Sequence, residues 1–240
     1  MLSGCSCLYP VGRVLLIFVI MNPSNIVCWN VRGLNSRARQ DSVRNLVNSF
    51  NANVVCIQET KMAEISMQTS MSALGSNFVH KLCLPSVGNS GGILVAWRNE
   101  IGPASASRVD QHSVSIQFSP SDHPPWWLTC VYGPQGDGNK IQFMQELRDV
   151  RSACPGPWIL MGDFNLIYRD EDKSSGNFNR QLMERFRRSI NDLGLKELAL
   201  HGRKFTWSNR QDTDLDNDDE TIEATVHAVG WNDDPAKAIL

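Results

Sequence analysis

Apolar residues in this chain come in short runs that each close on a polar side chain and a turn. Four are legible: Asn25-Ile-Val-Cys-Trp-Asn30, Asn53-Val-Val-Cys-Ile-Gln58-Glu59, Leu128-Thr-Cys-Val-Tyr132 and Ile159-Leu-Met-Gly-Asp163. Runs of this length, rich in β-branched residues and bounded by Asn, Gly or Pro, predict buried strands. Helical stripes separate them. Val43, Leu46, Val47 and Phe50 recur at i, i+3, i+4 and i+7, and Ile141, Met144 and Leu147 repeat the spacing. Leu182, Phe186, Ile190 and Leu193 make a third stripe. These positions predict amphipathic helices facing a core. Strands alternating with helices predict an α/β fold.

In such folds ligands bind where strand C-termini converge. Asn30, Glu59, Tyr132 and Asp163 each stand at such an end and so could line one cleft. Alternation along the last strand is expected to put Asp163 and Asn165 on the same face. A carboxylate that moves a proton beside a carboxamide that holds a water or phosphate oxygen suits phosphodiester hydrolysis. Each residue also has a plainer reading. Asn30 and Gly162-Asp163-Phe164-Asn165 are turn formers, Glu59 a solvated strand end and Tyr132 a rim aromatic. Their recurrence in order favours a site.

The same phrases resemble a known family. Trp-Asn-Val-Arg-Gly-Leu-Asn at 29–35, Gln-Glu-Thr-Lys at 58–61, Gly-Gly-Ile at 91–93, Val-Tyr-Gly-Pro at 131–134, Gly-Asp-Phe-Asn at 162–165 and Phe-Thr-Trp-Ser-Asn at 205–209 carry it. Together they resemble the endonuclease/exonuclease/phosphatase superfamily. Within it they resemble the apurinic-type endonuclease domain of plant LINE-type non-LTR retrotransposons. The resemblance implies a two-sheet α/β sandwich flanked by helices and Mg²⁺-dependent nicking of DNA, with Mn²⁺ an alternative. It makes Glu59 the main metal ligand with Asn30 beside it. Asp163 would position the attacking water or assist the leaving oxygen, and Asn165 would orient the phosphate. Tyr132 would donate to the charged transition state, and Arg32, Lys61 and Trp207 would meet nucleic acid. A hard, oxygen-only donor set suits Mg²⁺ or Mn²⁺ rather than Zn²⁺.

The chain also departs from that family. The family's site is completed by an Asp in a Leu-Asp-Arg-like strand and then a C-terminal Ser-Asp-His. Neither phrase occurs in residues 210–240. Ser121-Asp122-His123-Pro124 has the right letters, but it precedes Tyr132 and Asp163 and reads as a turn between two strands. The expectation is therefore a domain over 21–209 that is incomplete at its C-terminus, with an extension at 1–20 and an acidic, divergent tail at 210–240. Missing strands would leave an unpaired edge in the second sheet, and activity would be impaired or absent.

Composition changes this picture little. The chain has 240 residues and a net charge of −2, but the charge is unevenly placed. Residues 1–211 hold 22 Lys and Arg against 16 Asp and Glu, while residues 212–240 hold one against nine. The body is mildly basic, as a DNA partner requires. Arg180, Arg185, Arg187 and Arg188 read as the solvated face of the third helix.

Seven cysteines, several within apolar runs, argue for a reducing compartment. Cys5-x-Cys7 and His80-x-x-Cys83 lack the second half of a zinc spacing. The acidic run Asp212 to Glu223 imitates a calcium loop, but it has Asn217 at the glycine position and Asp219 at the apolar one. It reads as a solvated acidic segment. Val14 to Met21 is apolar yet far short of a membrane span of about 20 residues. The expectation is a nuclear or cytoplasmic protein that is not secreted, with no membrane and no obligate protein partner. Two other functions stay open: a phosphatase of the same superfamily, and a non-catalytic nucleic-acid-binding remnant.

Overall fold

The computed structural model describes residues 15–19, 25–88, 90–121, 123–170, 178–197, 224–227 and 237–239. In the first segment and the last two, only the backbone course is described. The first half of the chain contributes β1 (Leu15–Val19), β2 (Asn25–Asn30), α1 (Arg37–Ser49), β3 (Val54–Gln58), α2 (Met67–Leu74), β4 (His80–Val87) and β5 (Ser90–Trp97). The second half adds β6 (Ala106–Val109), β7 (Ser113–Phe118), β8 (Trp126–Tyr132), α3 (Asp137–Ala153), β9 (Trp158–Asp163), α4 (Arg180–Asp192) and β10 (Lys196–Glu197). Two short strands close it, β11 (Ala224–His227) and β12 (Lys237–Ile239).

These strands form two mixed sheets, ordered β11-β1-β2-β3-β5-β4 and β10-β12-β9-β8-β7-β6. The period of two in each strand builds three apolar layers. Inward positions such as Ile26, Cys28, Val54, Cys56, Leu128, Cys130, Ile159 and Met161 pack between the sheets. Outward positions of the first sheet, including Val27, Trp29, Val55 and Ile57, pack on Val43, Leu46 and Val47 of α1 and Ala73 and Leu74 of α2. Outward positions of the second, including Val131, Trp158 and Leu160, pack on Phe143 and Leu147 of α3 and Phe186 and Ile190 of α4. Burying each large apolar side chain is worth about 1.5–3 kcal/mol. Ser36, Ser66 and Asn179 cap α1, α2 and α4 by accepting from the N–H of Arg39, Thr69 and Leu182. Each such cap is worth about 1 kcal/mol.

The predicted architecture is thus observed, with local differences. The stripe reading counts Ile141 as core-facing, but it is 42% exposed. The buried face of α3 is Phe143, Met144, Leu147 and Val150. At roughly 100° per residue Ile141 lies about 130° from the centre of that face. The stretch set aside as an N-terminal extension contributes β1, antiparallel to β2.

The second sheet does not end on an unpaired β9 either. β12 lies parallel to β9, and β10 lies parallel to β12. β12 belongs to residues 210–240 and pairs with β9 directly, so the tail itself satisfies backbone groups that an open edge would expose. Ser121 and His123 fall in the β7–β8 connection, and Asp122 lies outside the described residues. That connection meets Trp126, and Tyr132 ends the same strand, about 20 Å away at ~3.3 Å per residue. Among the described residues no helix is long and apolar enough to cross a membrane. The acidic run 212–223 lies outside the described residues.

Candidate active site

Strand register brings the polar ends together in two pairs. Asn30 of β2 stands beside Gln58 of β3, and Tyr132 of β8 stands beside Asp163 of β9. Counting in twos from the inward residues, Asn30 follows Ile26 and Cys28, Tyr132 follows Leu128 and Cys130, and Asp163 follows Ile159 and Met161. All three therefore rise from the same inter-sheet layer at one end of the sandwich. The two pairs join across the gap: Asn30 Nδ2 donates to Asp163 Oδ2 at 2.8 Å.

Asp163 is held on both oxygens, because the Asn165 N–H donates to its Oδ1 at 3.0 Å. Strand alternation is not what places Asn165. β9 ends at Asp163, and Asn165 turns back with φ 50. Asn and Asp tolerate this left-handed region because their side chains bond the local backbone. The Asn165 Nδ2 then donates to Gly133 O at 2.6 Å, while the Gly133 N–H donates to Asp163 O at 2.7 Å. Glycine is required there, because a Cβ on residue 133 would overlap the Phe164 carbonyl. This clamp fixes the Asp163–Asn165 turn against the end of β8.

Glu59 is one residue out of phase, since Gln58 takes the inward position. A φ of 55 at Glu59 breaks the alternation and redirects the chain. The Thr60 N–H and Lys61 N–H donate to Gly92 O and Gly91 O, and Thr60 O accepts from the Leu34 N–H at 2.8 Å. A Cβ on Gly92 would overlap Thr60 Oγ1, so Gly91 and Gly92 are the seat on which this loop rests. Glu59 pairs with Lys61 Nζ at 3.2 Å. Among the described residues, four of the five non-glycine positions with positive φ, Arg32, Glu59, Lys61 and Asn165, lie in the loops at this end. Such backbone costs on the order of 1–3 kcal/mol per residue and concentrates at functional sites.

Tyr132 is half-buried, with Gln135 Nε2 donating to its hydroxyl at 3.3 Å. Burial, then the charge of Glu59, pushes the phenol above its ordinary range, and Asp163 adds to this. The hydrogen bonds to Gln135 and Asn165 oppose the shift. Tyr132 therefore keeps its proton and remains a donor, in reach of the fields of both carboxylates.

The structure brings together Asn30, Glu59, Tyr132, Asp163 and Asn165, with Arg32 and Lys61 beside them. The Arg32 N–H donates to Asn30 Oδ1 at 3.2 Å. Trp207 lies outside the described residues. No group of three or more His, Cys, Asp and Glu able to hold a metal occurs among the described residues. The oxygen donors at this end are the Asn30 carboxamide and the Asp163 carboxylate, which bond each other, and the Glu59 carboxylate in the loop just after β3. Sequence reasoning missed Gln58 as a site element, although a lone carboxamide after Val54 and Cys56 at inward spacing was a visible signal.

Comparison with solved structures finds the same fold. Similar chains include AP endonuclease LMAP from Leishmania major, with 14% identity and a TM-score of 0.56 over 76% of this chain and 67% of that one. An AP endonuclease from Archaeoglobus fulgidus gives 13% and 0.54 over 74% and 70%. A 3'-5' exonuclease (NExo) from Neisseria meningitidis gives 19% and 0.53 over 76% and 72%. Identities this low speak to fold. Residues 27–231 match the endonuclease/exonuclease/phosphatase family, and with most of its length inside that match the chain belongs to that family.

Proposed function

We propose that this chain hydrolyses phosphodiester bonds, as a divalent-metal-dependent, DNA-nicking endonuclease of retroelement origin. The observation that carries the reading is the 2.8 Å Asn30–Asp163 bond, which joins the two sheets at the end where Tyr132 and Asn165 also stand. The nucleases among the similar folds favour a nucleic-acid substrate. The phrases at 29–35 and 205–209 favour the retroelement branch over a phosphatase.

The donor chemistry fits Mg²⁺, with Mn²⁺ as a substitute. Mg²⁺ is commonly held by one or two carboxylates with waters and substrate phosphate completing the shell. Glu59 is such a carboxylate, and Asn30 Oδ1 keeps a second lone pair beyond its bond from Arg32. Lys61, paired with Glu59, would shift toward phosphate when the cation binds. When bound, the cation supplies Lewis-acid polarisation of the phosphate. Asp163, oriented by Asn30 and the Asn165 N–H, holds the attacking water and takes its proton as the new O–P bond forms; the P–O bond to the sugar breaks, and the leaving oxygen takes a proton from solvent. The protonated Tyr132 hydroxyl and the Asn165 carboxamide stabilise charge on the phosphate oxygens as it develops. Arg32 and Lys61 steer the backbone of DNA, and Trp207 supplies a stacking or wedging aromatic.

The 240 residues assayed by themselves hold no Ser-Asp-His phrase after Asp163, so this polypeptide alone is expected to turn over slowly. Losing such a pair costs on the order of 10³–10⁴ in rate. The same observation supports a second reading, a remnant that binds nucleic acid without turnover. Incubating the full chain with circular duplex DNA and, separately, with nucleotide and inositol monophosphates, in Mg²⁺ or in EDTA, separates these readings. Mg²⁺-dependent open circles without phosphate release support the proposal. Phosphate release alone, or DNA retention without nicking, rejects it.

A further inference from the structure

Gln58 sits directly beneath the cleft and has no part in the chemistry above. It is 1% exposed and stands on the inward face of β3. Its Nε2 lies 3.1 Å from Cys28 Sγ, 3.0 Å from Cys130 Sγ and 3.3 Å from Cys56 O. Cys28 belongs to β2, two residues before Asn30, and Cys130 belongs to β8, two residues before Tyr132. Gln58 is itself the register partner of Asn30 and the neighbour of Glu59. One carboxamide thus touches three strands and both sheets under the residues that form the cleft.

An amide in an apolar layer costs free energy unless it is bonded, and thiol sulfur is a weak acceptor. A Leu or Met would fill the same space without that cost, so packing alone does not account for Gln58. Each sulfur nevertheless offers a lone pair to the amide at hydrogen-bond distance.

We infer that Gln58 is a positioning residue, an inter-sheet strut that ties β3 to β2 and β8 and so sets the spacing of Asn30, Glu59 and Tyr132. The inference rests on the proposed function for what that spacing serves. Partners behind a metal ligand typically change metal affinity or activity about 10–100-fold when removed.

The test is Gln58→Met, which keeps volume and removes both N–H donors. Mn²⁺ binding to the full chain is followed by the electron paramagnetic resonance of free Mn²⁺, alongside plasmid nicking in Mg²⁺. The expected result is a Mn²⁺ dissociation constant raised about tenfold and kcat lowered about tenfold, with KM for plasmid unchanged. Unchanged Mn²⁺ affinity and kcat, or a change in KM alone, would overturn the inference. If Gln58→Met melts far below the parent, Cys130→Ala reads the same strut from its other anchor. A Mn²⁺ affinity equal to the parent's then overturns it, and a weakened one supports it. A parent protein that binds Mn²⁺ but nicks nothing contradicts the proposed function and leaves the Mn²⁺ comparison to decide the strut. One that binds no Mn²⁺ contradicts both.

Discussion

Asn30 and Asp163, 133 residues apart in the chain, meet through a 2.8 Å hydrogen bond that joins the end of β2 in one sheet to the end of β9 in the other. Neither side chain has the right partner without the other sheet. Because they act as one unit, their losses are not additive. Asp163→Asn is expected to lower the nicking rate by about 10³-fold and Asn30→Ala by about 10²-fold. The double variant should be no slower than Asp163→Asn, and initial rates on supercoiled plasmid check this.

Tyr132→Phe removes a protonated hydroxyl that burial and the Glu59 charge keep in donor form. The expected cost is about 10²-fold in kcat, with KM and melting temperature unchanged. A loss expressed in KM instead would assign Tyr132 to ground-state binding.

Glycine substitutions separate the site's seat from the surface. A Cβ at Gly133 would overlap the Phe164 carbonyl, whereas nothing lies within 4 Å of a Cβ at Gly138 on α3. Gly133→Ala should destabilise by about 2 kcal/mol, or roughly 4–8 °C in Tm. Gly138→Ala should stabilise by about 0.5–1 kcal/mol through helix propensity. Thermal melts followed by circular dichroism distinguish the two.

Alkaline stability follows from the buried thiols. The ordinary thiol value is 9.0, and Cys28, Cys56 and Cys130 are all raised above it in the folded chain. Below pH 9 both folded and unfolded thiols carry their protons, so the stabilising contribution is fully present. Above it the unfolded chain releases protons that the folded chain retains, and stability falls with rising pH. Urea midpoints should therefore be level across neutral pH and drop above about pH 9. Cys28→Ala should flatten that drop.

Much of the cleft was legible because it is made of strand ends. The apolar runs ending at Asn30, Tyr132 and Asp163 carry their own register, and a period of two then fixes which face each residue takes. What local pattern could not supply is the set of backbone reversals. Glu59 is out of phase with β3 and Asn165 lies beyond β9, so both reach the cleft through left-handed backbone. Partners distant in sequence were equally hidden. Nothing near Trp158 foretells that Lys237–Ile239 will pair with β9, and nothing near Gln58 foretells Cys130 across the sheets. Ile141 fell outside the core because three apolar positions do not fix the centre of a helical face when Phe143 and Val150 also compete for it.

Plasmid nicking by the purified full chain, with Glu59→Gln and Asp163→Asn beside it, decides whether these strand ends hydrolyse DNA phosphodiesters. The expected result is slow conversion of supercoiled DNA to open circles in Mg²⁺, stopped by EDTA and by either substitution. Nicking that survives both substitutions, or none at all from a cooperatively folded sample at high enzyme concentration, would contradict it.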